Sequence, residues 1–167
     1  MRQILELLER DAQLSHDTIA TMTGLPVAEV TAAVRKWEAA GVIRRYKAVV
    51  DWDAADRTED GAADPSDVVA FIDVSVAPAR GVGFDDVAAR ISRFPEVRSV
   101  YLVSGSHDLR CTVMGHSIRA VSDFVSQKLS TIDRVQATAT HFVLKTYKRD
   151  GDAFLEPEPD HRLPVAP

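Results

Sequence analysis

Apolar positions in the first fifty residues recur at helical spacing, broken by short stretches that carry Gly or Pro. Ile4, Leu5 and Leu8 share one face of a predicted helix over residues 2–11. Ser15 is a natural N-cap, and Asp17 in the first turn suits the helix dipole. A second helix is predicted from about His16 to Thr23, burying Ile19 and Ala20 and ending at Gly24 in a left-handed C-cap. Pro26 opens a third helix, where its missing N–H is harmless. Val27, Val30, Val34 and Trp37 fall at i, i+3, i+7 and i+10, one apolar stripe, and Gly41 stops the helix. Val42 to Val50 reads as a strand. Two short helices on a tight turn, followed by an exit strand, are the layout of a winged helix-turn-helix. Such a unit places one helix in the major groove of DNA.

The pattern changes after residue 50. Residues 51–67 (DWDAADRTEDGAADPSD) are polar, acidic and interrupted by Gly61 and Pro65, the composition of a flexible linker whose start Trp52 would anchor. Val68–Val76 then reads as a strand, and Phe84, Val87, Ala88, Ile91 and Phe94 keep helical spacing. Ser99–Val103 and Leu109–Met114 are predicted strands separated by Ser104, Gly105, Ser106, His107 and Asp108. Ser117 caps a helix that turns Val121, Phe124, Val125 and Leu129 inward, and Val135–Tyr147 forms a long last strand. The order βαββαβ is ferredoxin-like. The predicted fold is therefore α+β: an N-terminal winged helix-turn-helix (1–50), a linker (51–67), a ferredoxin-like βαββαβ domain (68–150) and an extended, proline-bearing tail (151–167). With both helices on one face of the sheet, the other face is left open. An open apolar face predicts dimerisation by sheet packing.

Composition changes the picture in three ways. The 167 residues are 46% hydrophobic and 27% charged, ordinary values for a globular protein able to build its own core. Cys111 is the single cysteine, so an internal disulfide is excluded, and a reducing, cytoplasmic compartment fits. No apolar run approaches the ~18 residues that span a bilayer, and the amphipathic N-terminus does not read as a signal peptide. Net charge is −5, against the usual sign for a nucleic-acid binder, but the acidity is concentrated after residue 50. Residues 1–50 hold seven basic and six acidic groups, and five of the basic ones lie between Arg35 and Lys47. DNA affinity would rest on that cluster and on doubling it in a dimer.

Three segments carry a resemblance: QILELLERDAQLSHDTIATMTGL, VRKWEAAGVIRRYKAVVD, and VYLVSGSHDLRCTV together with VQATATHFVLK. They resemble the helix-turn-helix, the recognition-helix exit, the G-x-x-D turn and the closing T-x-T strand of the Lrp/AsnC (feast/famine) transcriptional regulators. The likeness spans roughly residues 2–150. It implies a second domain that senses a small molecule, often an amino acid. It also implies dimers formed through the sheets, higher assemblies such as octamers, and an effector site between dimers near the G-x-x-D turn.

On DNA, the residues singled out are Thr31, Arg35 and Lys36 on the third helix and Arg44, Arg45 and Lys47 on the exit strand. Arginine and lysine suit phosphates and guanine edges, and threonine suits a phosphate or a thymine methyl. For the effector they are Ser104, Gly105, Ser106, His107 and Asp108 in the turn, with Thr138 and Thr140 on the last strand. Exposed turn N–H groups would meet a carboxylate, Asp108 an ammonium, and the threonines would add hydroxyls from one side of the strand. No metal, cofactor or catalytic centre is expected: the five histidines are scattered, and neither a nucleophile nor a ligand set accompanies His107. Two functions stay open. One is an effector-controlled, sequence-specific DNA-binding regulator. The other is an amino-acid-sensing module with weak or lost DNA binding.

Overall fold

The computed structural model describes residues 1–52, 54–55, 67–77 and 83–154. The chain forms two compact units, Met1–Val50 and Asp51–Pro167.

The first unit holds helices α1 (Arg2–Arg10), α2 (His16–Thr23) and α3 (Val27–Ala39). Ile4, Leu8, Ile19, Ala20, Val30, Ala33 and Val34 form its core, with Leu25, Trp37 and Ile43 packed around them. The Ser15 hydroxyl accepts the Thr18 N–H at 3.1 Å and so satisfies an otherwise unpaired helix-start donor. Gly24 ends α2 at φ 70°, a conformation that side chains with a Cβ disfavour. At the end of α3, the N–H of Val42 reaches Trp37 O (2.9 Å) and that of Gly41 reaches Glu38 O (3.0 Å). This is a Schellman closure around Gly41 at φ 68°. Val27 is 40% exposed, so the buried stripe starts at Val30 and takes in Ala33.

The second unit is a four-stranded antiparallel sheet of order β2-β3-β1-β4. Its strands are β1 (Val68–Val76), β2 (Val97–Leu102), β3 (Leu109–Gly115) and β4 (Val135–Phe142). Helices α4 (Asp85–Ile91) and α5 (Ile118–Phe124, running on into a π-helical turn at Val125–Leu129) connect them. Alternation along β1 sends Ala70, Ile72, Val74 and Val76 into one core with Val87, Ile91, Val121, Phe124 and Leu129 from the helices. Phe94 meets Phe124 edge-on with centroids 5.4 Å apart. The Ser117 hydroxyl accepts the Ala120 N–H and starts α5. Both helices therefore lie on one face, in the ferredoxin-like arrangement.

Four expectations need correction. Residues 42–50 are not a strand: a bend at 42–43 leads into backbone without regular secondary structure. The last strand ends at Phe142 rather than Tyr147. After it, the short strands β5 (Lys148–Arg149) and β6 (Asp152–Ala153) make a hairpin. Asp150 (φ 53°) and Gly151 (φ 101°) form its turn, the Asp-Gly pair that favours a two-residue hairpin, so the segment from Gly151 does not start as an extended tail. Trp52 is 58% exposed and not the buried anchor expected; Asp51 instead accepts the Ala54 N–H. The rest of the predicted linker (56–66) and the tail from residue 155 lie outside the described residues.

Ser15→Ala removes the acceptor at the start of α2. It is expected to destabilise the first unit by about 1 kcal/mol. Amide exchange should accelerate in α2 and α3 and stay unchanged in β1 and β3.

Candidate DNA interface and effector cleft

Helix α3 buries Val30, Ala33 and Val34, which turns Ala28, Ala32 and Arg35 directly outward. Two alanines followed by an arginine make a ridge that is low at one end and charged at the other. Small side chains allow close approach to thymine methyl groups, and arginine can grip a guanine edge or a phosphate. Lys36 is exposed on one flank of this ridge. Thr31 occupies the other flank, where its hydroxyl shares a 2.9 Å hydrogen bond with His16 Nδ1. Its polar atom is thus engaged in the seam between α2 and α3. Arg44, Arg45 and Lys47 are exposed on the segment that follows. That segment is tied back to α3 by the Ile43 N–H on Trp37 O (3.2 Å) and by the Tyr46 hydroxyl donating to Glu38 (2.9 Å). Partial burial, with Glu38 as acceptor, raises the Tyr46 pKa and keeps the hydroxyl a donor.

The second site lies on the sheet face turned away from the helices. Register places Asp73 of β1 opposite Arg110 of β3, and Phe71 opposite His141 of β4. Directly paired residues share a face. Asp73 is only 5% exposed, the single charged residue among the described buried ones. Arg110 donates to both its oxygens, Nε to Oδ1 at 2.6 Å and a terminal nitrogen to Oδ2 at 2.8 Å. His141 Nε2 stands 3.5 Å from Oδ2. The Arg110 hydrogen bonds hold the Asp73 carboxyl below its usual pKa, against the opposing effect of burial. Phe71 (42% exposed) and Tyr101 (59%) flank this pair. The open face is thus apolar at its flanks and charged at its centre, not the wholly apolar surface that the helix count predicted.

An open cleft of about 570 Å³ lies at the turn end of this face. It is lined by residues 102–107, by Asp73 and by Arg110. Ser104, Gly105, Ser106 and His107 thus line one cavity, with the Ser106 hydroxyl and His107 Nδ1 in a 3.0 Å hydrogen bond. Gly105 has φ 152°, and a Cβ built there would meet nothing within 4 Å. Asp108 does something else. Its N–H donates to Val74 O (3.1 Å), its carbonyl accepts the Val103 N–H (2.9 Å), and its Oδ2 accepts the Val76 N–H (2.8 Å). The side chain takes the place of a ladder carbonyl and clamps the turn to β1. Thr138 and Thr140 do share a side of β4, but they pair with Val74 and Ile72, whose side chains are buried under the helices. That is the face opposite the cleft, so the two threonines and the cleft residues are not brought together. Cys111 is also on the helix face, where burial pushes its thiol up to about 11 and leaves it an inert core group.

The spacing argument missed Asp73 and Arg110. A lone acid inside the apolar run VVAFIDVSV was the available signal, but its partner becomes visible only once β1 and β3 are in register. Among the described residues, no cluster of three or more His, Cys, Asp or Glu could hold a metal, and no helix is long and apolar enough to cross a membrane.

Comparison with known proteins converges on one class. Residues 1–44 match the winged helix-turn-helix DNA-binding model, and residues 69–153 match the Lrp/AsnC ligand-binding domain. A DNA-binding helix-turn-helix joined to a ligand-binding domain defines a transcriptional regulator, not an enzyme. The chain belongs to the Lrp/AsnC family. It is 48% identical over 165 residues to an uncharacterised HTH-type transcriptional regulator of Bacillus subtilis, YugG, covering 99% of this chain and 95% of the relative. The leucine response regulatory protein of Mycobacterium tuberculosis superposes with a TM-score of 0.70 at 28% identity, covering 90% of this chain and 94% of that one. A feast or famine regulatory protein of M. tuberculosis, solved with L-methionine, superposes with a TM-score of 0.68 at 28% identity, covering 89% and 92%.

Removing Arg110 strands a buried carboxylate, so Arg110→Ala is expected to lower the urea midpoint of the second unit. Because the folded pKa of Asp73 is depressed, the pair's contribution is full above the unfolded pKa and is lost as pH falls through the folded one. Urea titrations between pH 2 and 7 should therefore show a shallower acid limb in Asp73→Asn than in the wild type.

Proposed function

We propose that this regulator is sequence-specific, that its effector is a small molecule of the amino-acid class, and that the effector acts by changing how copies of the chain assemble. Residues 1–50 read DNA, with Arg35, Lys36, Arg44, Arg45 and Lys47 in contact and Thr31 setting the pose of α3. Residues 68–150 pair copies through the open sheet face and bind the effector beside the 104–108 turn. The protein then acts in the cytoplasm, as a dimer or a higher oligomer such as an octamer. Thr138 and Thr140 fit this scheme only as contributors from the far side of β4.

The observation that carries this reading is the position of the cleft. It opens at the margin of the sheet face available for pairing, so a ligand in it and a second sheet laid across that face use adjoining surface. A ligand that fits one arrangement better than another must shift the balance between them. The L-methionine bound to the M. tuberculosis relative supports the effector class. A second reading, an amino-acid sensor with little hold on DNA, draws on the net charge of −5 and on the engaged hydroxyl of Thr31.

Titration of DNA from upstream of the chain's own coding region, across a salt series with and without a mixed amino-acid pool, separates the two. The regulator reading expects selective binding that weakens with salt and shifts with the pool. Arg35→Ala should then cost about 1–3 kcal/mol of selective affinity, and Lys36→Ala should reduce the salt slope by about 1. Absence of binding at low salt in both conditions would leave the sensor reading.

A further inference from the structure

We infer that Arg110 is the carboxylate-binding residue of the cleft and that Asp73 is its positioning residue. The inference rests on the effector reading above and names the chemistry that the site selects.

Three observations carry it. First, Arg110 lines the cleft, and its side chain is 51% exposed although two of its donors are engaged. A guanidinium has five N–H donors, so those not given to Asp73 remain for a second acceptor. Second, those two donors are fixed. Asp73 is buried in the strand bonded on both edges, and its bidentate grip holds the guanidinium plane without using rotamer entropy at the moment of binding. Third, the acid expected to face the ligand is occupied elsewhere: Asp108 Oδ2 holds the Val76 N–H, and Asp108 does not line the cavity. The acid that does line it, Asp73, already has both oxygens on Arg110. The cleft's exposed charge is therefore cationic, with the Ser106–His107 pair beside it. A planar arginine held by a buried acid is suited to a planar anion, and in an amino acid that is the carboxylate.

The test is calorimetric titration of the full-length protein with each of the twenty proteinogenic L-amino acids. Any ligand found is then compared with its own carboxamide, which keeps the side chain and ammonium and loses the negative charge. The wild type is expected to favour the acid by roughly tenfold or more, the usual effect of a hydrogen bond between charged partners. Arg110→Gln should abolish that preference. Because this variant strands the Asp73 charge, Asp73→Asn/Arg110→Gln supplies a neutral pair in the same place, and it too should bind acid and amide alike. Asp73→Asn alone, titrated where it is fully folded, should narrow the preference for acid over amide without abolishing it, whereas loss of a merely structural residue would weaken both ligands alike. If the folded double variant still discriminates acid from amide, Arg110 is not the anchor, even though the effector reading stands. The same holds if only its sedimentation changes. If the wild type binds none of the twenty, the effector reading falls and this inference falls with it.

Discussion

Strand β1 is hydrogen-bonded along both edges, to β3 on one side and β4 on the other, and the second unit is organised around that constraint. A central strand has no backbone freedom left. Each of its side chains must therefore be satisfied where the alternation puts it. Ala70, Ile72, Val74 and Val76 meet the helices and supply the core. Asp73 falls on the opposite face with no backbone donor within its strand, and a carboxylate buried there persists only with a partner. Register brings Arg110 opposite, and the two close a bidentate pair. The charged centre of the open face follows from β1 being central.

The same strand also shapes the cleft. Pairing between β1 and β4 shifts register between Ser75 and Val76, and the Val76 N–H is taken up by the Asp108 side chain. The turn is thereby fixed at both its carboxylate and its backbone, while residues 104–107 line the cleft. Tight anchoring at one end and an open bend at the other give a cavity with a rigid floor. The open face, the floor of the cleft and the turn all belong to one sheet.

The first unit follows a simpler rule. Its helices are short, and isolated helices of such length are marginal in water. Caps and one shared core hold them. Ser15 starts α2, Gly24 stops it, and the closure at Gly41 turns the chain back so that Ile43 reaches the core. Burying Val30, Ala33 and Val34 determines which residues of α3 face outward. The outward ridge of Ala28, Ala32 and Arg35 is a consequence of that packing.

Local signals in the chain were enough for most elements. Caps at Ser15 and Ser117, the stops at Gly24 and Gly41, and the apolar run Val68–Val76 each act through neighbours in sequence, and the structure has them where the sequence placed them. The Asp-Gly turn at 150–151 is an equally local signal, and it closes a hairpin where an extended tail from Gly151 was expected. What only tertiary structure decided depends on pairing between distant strands. Residues 42–50 read as a strand but do not form one. Thr138 and Thr140 have the spacing of a site but face the helices. Asp108 looks like a ligand group and serves the backbone of β1. Asp73 and Arg110, 37 positions apart, form the pair that spacing could not reveal. Sequence determines which residues share a side of a strand, because the side-chain period is two. Only the register between strands determines which side faces the helices, and what lies across from each residue.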